Sequence, residues 1–287
     1  CNQNDKELQI NINKKDKFPL NMLELGTSVT NNMELKVELL KRIDATVVIG
    51  GSMFIQSEKW REWHLEYYQH LFYFSQWSPV FFMGCNFGPY YSDDYYNEFK
   101  NIFRQARDVC FREKFSYNLF KDLTNVRYST DIVFGIKPYI DRFIAKQKDN
   151  RNIGISIISL KNRNGLSDLE EDYFSKIRDI IYMYYEKGYS FSIFPFCDFE
   201  GDLEAAQKLY ESLNVDIKEK CIIYEYKGNI EEYLYYLSTP CKMICSRFHS
   251  IIMSLIFEQE ILPLIYSEKS ANILKDLNYN GNYYYIK

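Results

Sequence analysis

The second half of the chain alternates short apolar runs with longer segments whose apolar residues recur every three or four positions. The run NIGISII, residues 152–158, is β-branched and almost continuously apolar, as in a strand covered on both faces. Over residues 172–187, Phe174, Ile177 and Ile181 recur at helical spacing, and a glycine follows. The pattern therefore predicts a strand followed by a helix.

The same alternation continues to the end of the chain. Further strands are predicted at YSFSIFPF, CIIY, KMIC and ILPLIY, and further helices at DLEAAQKLYESL, NIEEYLYYLS, FHSIIMSLIFE and SANILKDL. Asp202 is the predicted N-cap of the first of these helices. Strict βα alternation implies a parallel, right-handed, doubly wound sheet, so residues 151–287 are predicted to form a Rossmann-like domain.

The first half follows the same order with weaker signals. ATVVIGG predicts a strand that ends in a glycine pair, SPVFFMGCNFGP a strand that enters a glycine-bounded loop, and DVCFR a strand after a helix at residues 98–106. The stretch to Leu40 gives only a weak βα signal, and the polar tract 137–152 has no clear period. We therefore place the boundary in this tract and predict an N-terminal Rossmann-like domain over residues 1–140.

The resulting fold prediction is an α/β protein with two Rossmann-like, doubly wound parallel-sheet domains that face each other across a cleft. Ligands of such sheets bind outside the carboxyl ends of the strands, where the loops carry the chemistry. Candidate functional residues are therefore sought at strand ends.

Composition narrows the function by exclusion. The 287 residues suit two ordinary domains, and 35 Lys and Arg against 39 Asp and Glu, with no basic cluster, argue against a nucleic-acid partner. A membrane span needs an apolar run of about 18 residues, and the sequence has none. The seven cysteines are scattered in apolar runs, which predicts reduced thiols in a cytoplasmic protein. Cys241 and Cys245 have no second Cys/His pair at finger spacing, so no metal site is predicted.

Two loops with glycines follow predicted strands in the first half. In VIGGSMF, Gly50 and Gly51 allow the backbone to approach an anion closely, and Ser52 can cap the next helix. A simple turn explains this loop equally well when it is judged alone. In MGCNFGPYY, glycines shape a loop that carries Asn86, and a tight loop without a ligand is an equal alternative.

The third loop, CSRFHS, places an arginine and a histidine where a strand turns into a helix. Ser246 falls near the predicted N-cap, and Arg247 and His249 fall in the first turn, where unpaired amides and the helix dipole favour an anion. A guanidinium there can hold a carboxylate or phosphate by two contacts, and it needs a partner anion. For His249, a neutral, hydrogen-bonded core histidine is the alternative. His64 and His70 are interpreted as ordinary helix-face residues.

Other cations follow predicted strands. Arg112 lies just past DVCF, with Ser116 four residues later, and Lys269 lies just past ILPLIY. Together with Arg247, these residues predict a local positive cluster in an acidic protein. Such a cluster implies a small anionic ligand with more than one charge.

The order of these loops resembles that of the polysaccharide pyruvyl transferase family. The matching features, from Asp44 to Leu277, are the turn at Gly50 and Gly51, the G-x-x-x-G-P loop at residues 84–89, Arg112 with Ser116, DIVF at Asp131, the FPF…D element ending at Asp202, the Arg-x-His-Ser motif at residues 247–250, and Y-x-x-K at Tyr266 and Lys269. Any one of these features is common, whereas seven in order are specific. The family often has Asp where this chain has Glu113.

The resemblance implies a GT-B-like bacterial enzyme that uses phosphoenolpyruvate as co-substrate to place a pyruvate ketal on a sugar of the cell envelope. It implies no other cofactor and no metal. Ketal formation needs a proton at the vinyl carbon, attack by a hydroxyl on the adjacent carbon, departure of phosphate, and ring closure by a second hydroxyl.

By resemblance and charge, Arg112 and Arg247 hold the carboxylate and phosphate, and His249 is the general acid. The donor-binding residues expected to assist them are Gly50, Gly51, Ser52, Asn86, Ser246, Ser250 and Lys269. A helix N-terminus lowers the pKa of a histidine and a bound anion raises it, so His249 is expected to act as an acid when the donor is bound.

The expected acceptor is a sugar, a lipid-linked oligosaccharide or a polysaccharide, bound on the N-terminal side, with peripheral membrane association through the acceptor. Two alternatives stay open. One is a GT-B glycosyltransferase that uses a nucleotide-sugar, for which Glu225 is the candidate ribose contact. The other is a non-catalytic glycan-binding relative.

Overall fold

The computed structural model describes residues 44–286, apart from residues 77, 143, 146, 147, 162 and 164 and the side chains of Trp63, Phe74 and Arg142. The chain divides into two compact units, Cys1–Ser129 and Thr130–Lys287. Each unit is an α/β domain built on a parallel sheet. The predicted α/β class is thus confirmed, whereas the weak signal before Leu40 lies outside the described residues.

The division between the units precedes the polar tract in which the sequence placed the boundary. A 3₁₀-helical segment, Ile132–Arg142, follows the division, and its Ile140 is buried in a core of the second unit. Residues 130–140 therefore belong to the second unit, although the sequence placed them in the N-terminal domain. The acceptor and donor roles of the domains, and the cleft, stay predictions.

The first unit has four parallel strands in the order β1-β2-β3-β4 in its described part. The strands are β1 (Thr46–Ile49), β2 (Val80–Cys85), β3 (Asp108–Phe111) and β4 (Val126–Tyr128), and the helices are α1 (Glu66–Phe74), which follows a π-helical turn at Arg61–Leu65, α2 (Asp93–Gln105) and α3 (Lys114–Phe120). Helix α2 begins earlier than predicted because Ser92 caps it, its Oγ accepting from Tyr95 N at 3.3 Å. Since sequential parallel strands pair here, the loops after β1, β2 and β3 are neighbours.

The core of this unit is aromatic. Phe54, Phe82, Phe99 and Phe103 are fully buried, and the rings of Phe54 and Phe103 meet edge to face with centroids 5.0 Å apart. Such arrangements add to the stability gained from burial alone. The many Phe and Tyr residues of this half thus hold the sheet that carries the strand-end loops.

The second unit has six parallel strands and six α-helices in its described part. The strands are β5 (Asp149–Ile157), β6 (Ser190–Pro195), β7 (Cys221–Ile223), β8 (Pro240–Cys245), β9 (Glu260–Ile265) and β10 (Tyr284–Tyr285). The helices are α4 (Glu170–Tyr185), α5 (Asp202–Glu211), α6 (Val215–Lys218), α7 (Ile230–Ser238), α8 (Phe248–Ile256) and α9 (Glu268–Asp276), with short 3₁₀ turns at Ser167–Leu169 and Asp198–Glu200. The predicted strands and helices of this half are confirmed, with ends that differ by a few residues.

The strand order of the second sheet is β10-β9-β8-β5-β6-β7. Chain order reverses between β5 and β8, and such a switch point opens a crevice at the carboxyl ends of the strands. Helices α4 and α5 pack in one hydrophobic cluster of the sheet, and α7, α8 and α9 pack in another that takes the alternate strand residues Met243 and Cys245. Helices thus cover both faces, which confirms the doubly wound arrangement for this unit.

The predicted cap of α5 is wrong. Gly201, with φ of +83°, is the N-cap of α5, and Asp202 is the first helical residue. Ser246 lies near the N-cap of α8, as predicted: the cap is Arg247, and the Ser246 N–H donates to Ser156 O at 3.2 Å and extends the ladder between β8 and β5.

None of the helices in the described part of the chain is both long and apolar enough to cross a membrane.

Candidate functional site

The predicted residues of the first unit meet at the carboxyl ends of adjacent strands. Gly51 and Ser52 follow β1, Asn86 follows β2 and Arg112 follows β3. Arg112 Nη2 donates to Asn86 Oδ1 at 2.7 Å and to Ser52 Oγ at 3.3 Å, while Ser52 Oγ donates to Asn86 Oδ1 at 3.1 Å. We call these four residues the strand-end cluster.

The two glycines of this turn do different things. A Cβ atom built on Gly51 would lie 3.5 Å from Arg112 Nη1, so the guanidinium lies directly against the turn. The N–H of Gly50, by contrast, donates to Met83 O at 3.0 Å and continues the sheet ladder. The expectation that the Gly50 amide helps to bind an anion therefore does not match its hydrogen bonding.

Burial gives the strand-end cluster its chemical character. Arg112 and Asn86 are each only 4% exposed. A charged group is costly to bury unless hydrogen bonds satisfy it. The Arg112 guanidinium donates two such bonds to neutral oxygens of the cluster. An oriented guanidinium of this kind can hold a carboxylate or phosphate by two contacts.

Ser116 fixes the loop that carries Asn86. Its Oγ accepts from Phe87 N at 2.8 Å and donates to Glu113 Oε1 at 2.7 Å, and both Ser116 and Glu113 are buried. In the Arg-Glu-x-x-Ser stretch, Arg112 therefore belongs to the strand-end cluster, and Ser116 holds the neighbouring loop.

In the second unit Arg247 lies at the switch point, beside the end of β5. Its N–H donates to Ser156 Oγ at 3.3 Å. The guanidinium meets fully buried Asp202 in a two-point contact, Nε to Oδ2 at 2.7 Å and Nη2 to Oδ1 at 2.5 Å. Nη1 also donates to Glu200 Oε2 at 2.5 Å.

A second arginine joins from the loop after β5. Arg163 Nη2 donates to the same Glu200 Oε2 at 2.5 Å, and Arg163 Nε donates to Ser159 O at 3.1 Å. Its guanidinium lies 4.5 Å from the ring centroid of Tyr266, in the loop after β9. Arg163, Glu200, Asp202 and Arg247 form what we call the arginine–carboxylate network, which joins loops from β5, β6 and β8.

Contacts within the network shift the pKa values of Arg247 and Glu200. Burial alone would lower the pKa of Arg247, but the hydrogen bond and charge of Asp202 outweigh it and raise that pKa. Partial burial acts to raise the pKa of Glu200, and the hydrogen bonds and charges of Arg247 and Arg163 lower it overall. Two guanidiniums thus face two carboxylates, so the anion that Arg247 was expected to need is supplied by the protein itself.

The two predicted serines of this region bond inside the protein. Ser246 Oγ lies 2.8 Å from Tyr173 Oη, and Ser250 Oγ donates to Arg247 O at 2.6 Å. Both serines are buried. Their observed contacts therefore position the start of α8, and direct donor binding by these hydroxyls stays a prediction.

His249 and Lys269 lie nearer to solvent. His249 is exposed in the first turn of α8, and its ring meets that of Phe248 edge to face with centroids 5.2 Å apart. Lys269 is half-buried in the first turn of α9. His249 is thus not the buried core histidine of the alternative interpretation.

Sequence reasoning missed Arg163 and Glu200. Arg163 follows β5, a strand that the apolar pattern predicts clearly, so the search at strand ends that found Arg112 also applied to Arg163. Glu200 had no such signal, because its role depends on which loops the strand order brings together. Among the described residues, no group of three or more His, Cys, Asp or Glu side chains could hold a metal ion.

Comparison with known proteins adds a family and a fold. The family model described as polysaccharide pyruvyl transferase matches residues 2–268. No curated protein matches the sequence. By fold, the chain is similar to Methanocaldococcus jannaschii UDP-GlcNAc 2-epimerase solved with UDP-GlcNAc and UDP, at 11% identity and a TM-score of 0.53 over 88% of this chain and 68% of that one.

A second similar structure is S. aureus MnaA with UDP, at 12% identity and a TM-score of 0.52 over 89% of this chain and 73% of that one. At such identities the likeness concerns the fold alone. It agrees with the two parallel-sheet α/β domains described above and with the predicted GT-B class.

Proposed function

The chain belongs to the polysaccharide pyruvyl transferase family, and on that premise we propose that it transfers pyruvate from phosphoenolpyruvate to a sugar of a cell-surface polysaccharide or its precursor, forming a pyruvate ketal. The observation that carries the proposal is the position of Arg247. It is the N-cap of α8 at the switch point of the second sheet, held by Asp202, with exposed His249 two residues later. Donors of this kind carry two anionic ends, and helix N-termini at switch points favour anions.

We assign anion binding to Arg112 and Arg247, as the sequence predicted, with the donor taking the place of exposed Glu200 at Arg247 Nη1. In the first unit, Ser52 and Asn86 orient the Arg112 guanidinium. In the second, Asp202 orients Arg247, and the amides of the first turn of α8 add their dipole. Lys269 supplies a further positive charge. Arg163 joins the proposal because it shares Glu200 with Arg247.

In the proposed reaction His249 gives a proton to the terminal vinyl carbon of phosphoenolpyruvate. A sugar hydroxyl then forms a bond to the adjacent carbon and releases its own proton, which leaves the phosphate ester intact. A second hydroxyl of the same sugar forms the other carbon–oxygen bond as the bond to phosphate breaks. The proton of the second hydroxyl leaves with the phosphate, so the products are the ketal and inorganic phosphate, and the proton of the first hydroxyl replaces the one that His249 donated.

The donor is tested by thermal shift. Phosphoenolpyruvate is expected to raise the melting temperature, since a ligand that binds only the folded state stabilises it. A panel of nucleotides and nucleotide-sugars serves as the comparison. If a nucleotide-sugar stabilises the protein and phosphoenolpyruvate does not, the glycosyltransferase alternative replaces the proposal. If no anionic donor stabilises it, the glycan-binding alternative gains.

Catalysis is tested by phosphate release and by mass spectrometry of the sugar product. His249→Ala is expected to lower turnover by about 10²–10⁴-fold and to leave donor binding nearly unchanged, because positioned acids contribute this much. The matched control is His70→Ala, which removes an exposed histidine of α1 in the other unit. Turnover of His249→Ala within about tenfold of the unaltered protein would exclude the acid role.

Independence from metal is a separate part of the proposal. Full phosphate release in the presence of a chelator is the expected result. Loss of activity that magnesium restores would contradict it. A cytoplasmic location, and membrane association through a lipid-linked acceptor, stay predictions from the sequence.

A further inference from the structure

A second concave site lies in the second unit, at the carboxyl end of the edge strand β7. Its volume is about 440 Å³, and its walls come from β7 and the segment after it, from α5 and from α7. This size falls in the range of roughly 300–1,000 Å³ that small-molecule sites occupy. No residue of the arginine–carboxylate network lines it, so this cavity is a separate site.

One wall of the cavity is a rigid aromatic stack. Tyr224 stacks with Phe194, with ring centroids 5.4 Å apart and ring planes at 14°, and with Tyr236, at 4.5 Å and 27°. Tyr233 is buried and its hydroxyl donates to Pro195 O at 3.0 Å. Its neighbours hold the Tyr224 ring in place, and the ring lines the cavity with apolar surface.

The rim of the cavity carries groups that recognise hydroxyls. Glu225, Glu232, Gln207 and Asn229 supply carboxylate and amide groups, and Lys227 adds an ammonium 3.9 Å from Glu225 Oε2. Carboxylates accept hydrogen bonds, and amides both donate and accept them. Two carboxylates against one ammonium make the rim negative, which disfavours phosphate and carboxylate ligands.

We propose that this cavity binds a neutral sugar ring, with hydroxyls bonded to Glu225 and Gln207 and the apolar face of the sugar against the aromatic wall. The identification of this sugar as part of the acceptor rests on the proposed function. The binding itself rests only on the cavity. A sugar contact in the second unit adds to the acceptor side that the sequence predicted in the first.

The test is saturation-transfer NMR with methyl glycosides of glucose, galactose, mannose and N-acetylglucosamine, with uridine and adenosine as the competing class. Glu225→Gln and Gln207→Ala each remove one polar contact without touching the aromatic stack. Glu219→Gln is the matched control, because Glu219 is exposed in the same unit and does not line the cavity. Glu232 and Asn229 are avoided, since Asn229 Oδ1 accepts from Glu232 N and caps α7.

At least one neutral glycoside is expected to bind, and Glu225→Gln is expected to weaken it by about tenfold or more, as loss of a hydrogen bond to a charged group does. Gln207→Ala is expected to weaken it too, and Glu219→Gln to leave it unchanged. The proposal is overturned if no glycoside binds, if the variants bind glycosides as the unaltered protein does, or if only nucleosides bind.

Thermal shift with phosphoenolpyruvate on the same samples separates this proposal from the proposed function. Stabilisation by phosphoenolpyruvate without glycoside binding sinks the sugar site and leaves the transferase proposal standing. Glycoside binding that Glu225→Gln weakens, without stabilisation by phosphoenolpyruvate, supports the sugar site and counts against the transferase proposal.

Discussion

Replacing Asp202 by Asn probes the arginine–carboxylate network directly. Asp202 is fully buried and accepts three hydrogen bonds, two from Arg247 at 2.7 and 2.5 Å and one from Cys197 N at 2.9 Å. Asparagine has nearly the same shape but no charge, and one of its two polar atoms is a donor. That donor must face an N–H group, so at least one hydrogen bond is lost and Arg247 loses its buried counter-charge.

The expected cost follows from the burial of the pair. Removing one partner of a buried ion pair costs about 3–5 kcal/mol, because the other charge is left uncompensated. Arg247 retains its contact with Glu200, but the Glu200 side chain is 44% exposed and therefore compensates the buried charge of Arg247 only weakly. We expect the lower end, about 3 kcal/mol. With a urea slope of roughly 2 kcal/mol/M, the unfolding midpoint of the second unit falls by roughly 1.5 M.

The measurement must report on the second unit. The three tryptophans, Trp60, Trp63 and Trp77, all precede residue 129, so their fluorescence reports on the first unit. Hydrogen exchange of peptides that cover β5 and β8, read across a urea series, reports on the second. Asp172→Asn is the matched control, since Asp172 pairs with Lys176 on an exposed face of α4 and such pairs contribute about 0.5 kcal/mol or less.

Two outcomes would refute this reasoning. One is a stability loss for Asp202→Asn no larger than that of Asp172→Asn. The other is found with the double variant Asp202→Leu with Arg247→Met, which replaces the charged pair by apolar side chains. We expect this double variant to be more stable than Asp202→Asn alone. A double variant that is less stable would show that the charges themselves are needed.

The remaining predictions concern Glu200 and Ser116. Glu200→Gln removes a carboxylate that accepts hydrogen bonds from both Arg163 and Arg247. Phosphoenolpyruvate should therefore bind this variant more tightly in thermal-shift titrations, whereas Asp198→Asn should leave binding unchanged. Weaker binding by Glu200→Gln would assign Glu200 a positioning role instead. Because the pKa of Glu200 is lowered in the folded protein, its carboxylate contributes fully to stability above the ordinary glutamate pKa of 4.5, and this contribution is lost as pH falls through the lower folded-state pKa. The stability difference between the unaltered protein and Glu200→Gln should therefore shrink below pH 4.5. A difference that stays constant with pH would contradict this. Ser116→Ala leaves the buried Phe87 N–H and Glu113 without their shared partner and should destabilise the first unit by about 1–3 kcal/mol in urea unfolding followed by tryptophan fluorescence, whereas exposed Ser57→Ala should have no effect.

The fold was predictable from the sequence because each element of the second half has one dominant period. Apolar residues at helical spacing in α4 bury Phe174, Ile177 and Ile181, and the β-branched run of β5 is buried on both faces of the sheet. Element ends were less predictable, because they depend on hydrogen bonds to distant residues. Arg247 illustrates this: the sequence placed it in the first turn of α8, whereas the hydrogen bond from Ser246 N to Ser156 O continues the ladder past β8 and makes Arg247 the cap.

The candidate site was predictable only in part. The strand-end rule located Arg112, Ser52, Asn86 and Arg247 at the carboxyl ends of parallel strands, where they lie. It could not find the partners of Arg247, because Asp202 precedes it by 45 positions and meets it only through the strand order. Asp202 was therefore assigned to a local role as a helix cap, which its side chain does not perform.

The pairing of β5 with β8 also has a consequence for the order in which the protein folds. The contact between Arg247 N and Ser156 Oγ joins residues 91 positions apart. Such non-local contacts form late, because the entropy of closing the long intervening loop is lost before any contact compensates for it. A chain that has not yet incorporated β8 can fold neither the switch point nor the environment of Arg247. The environment of Arg247 should therefore be among the last parts of this unit to form during refolding.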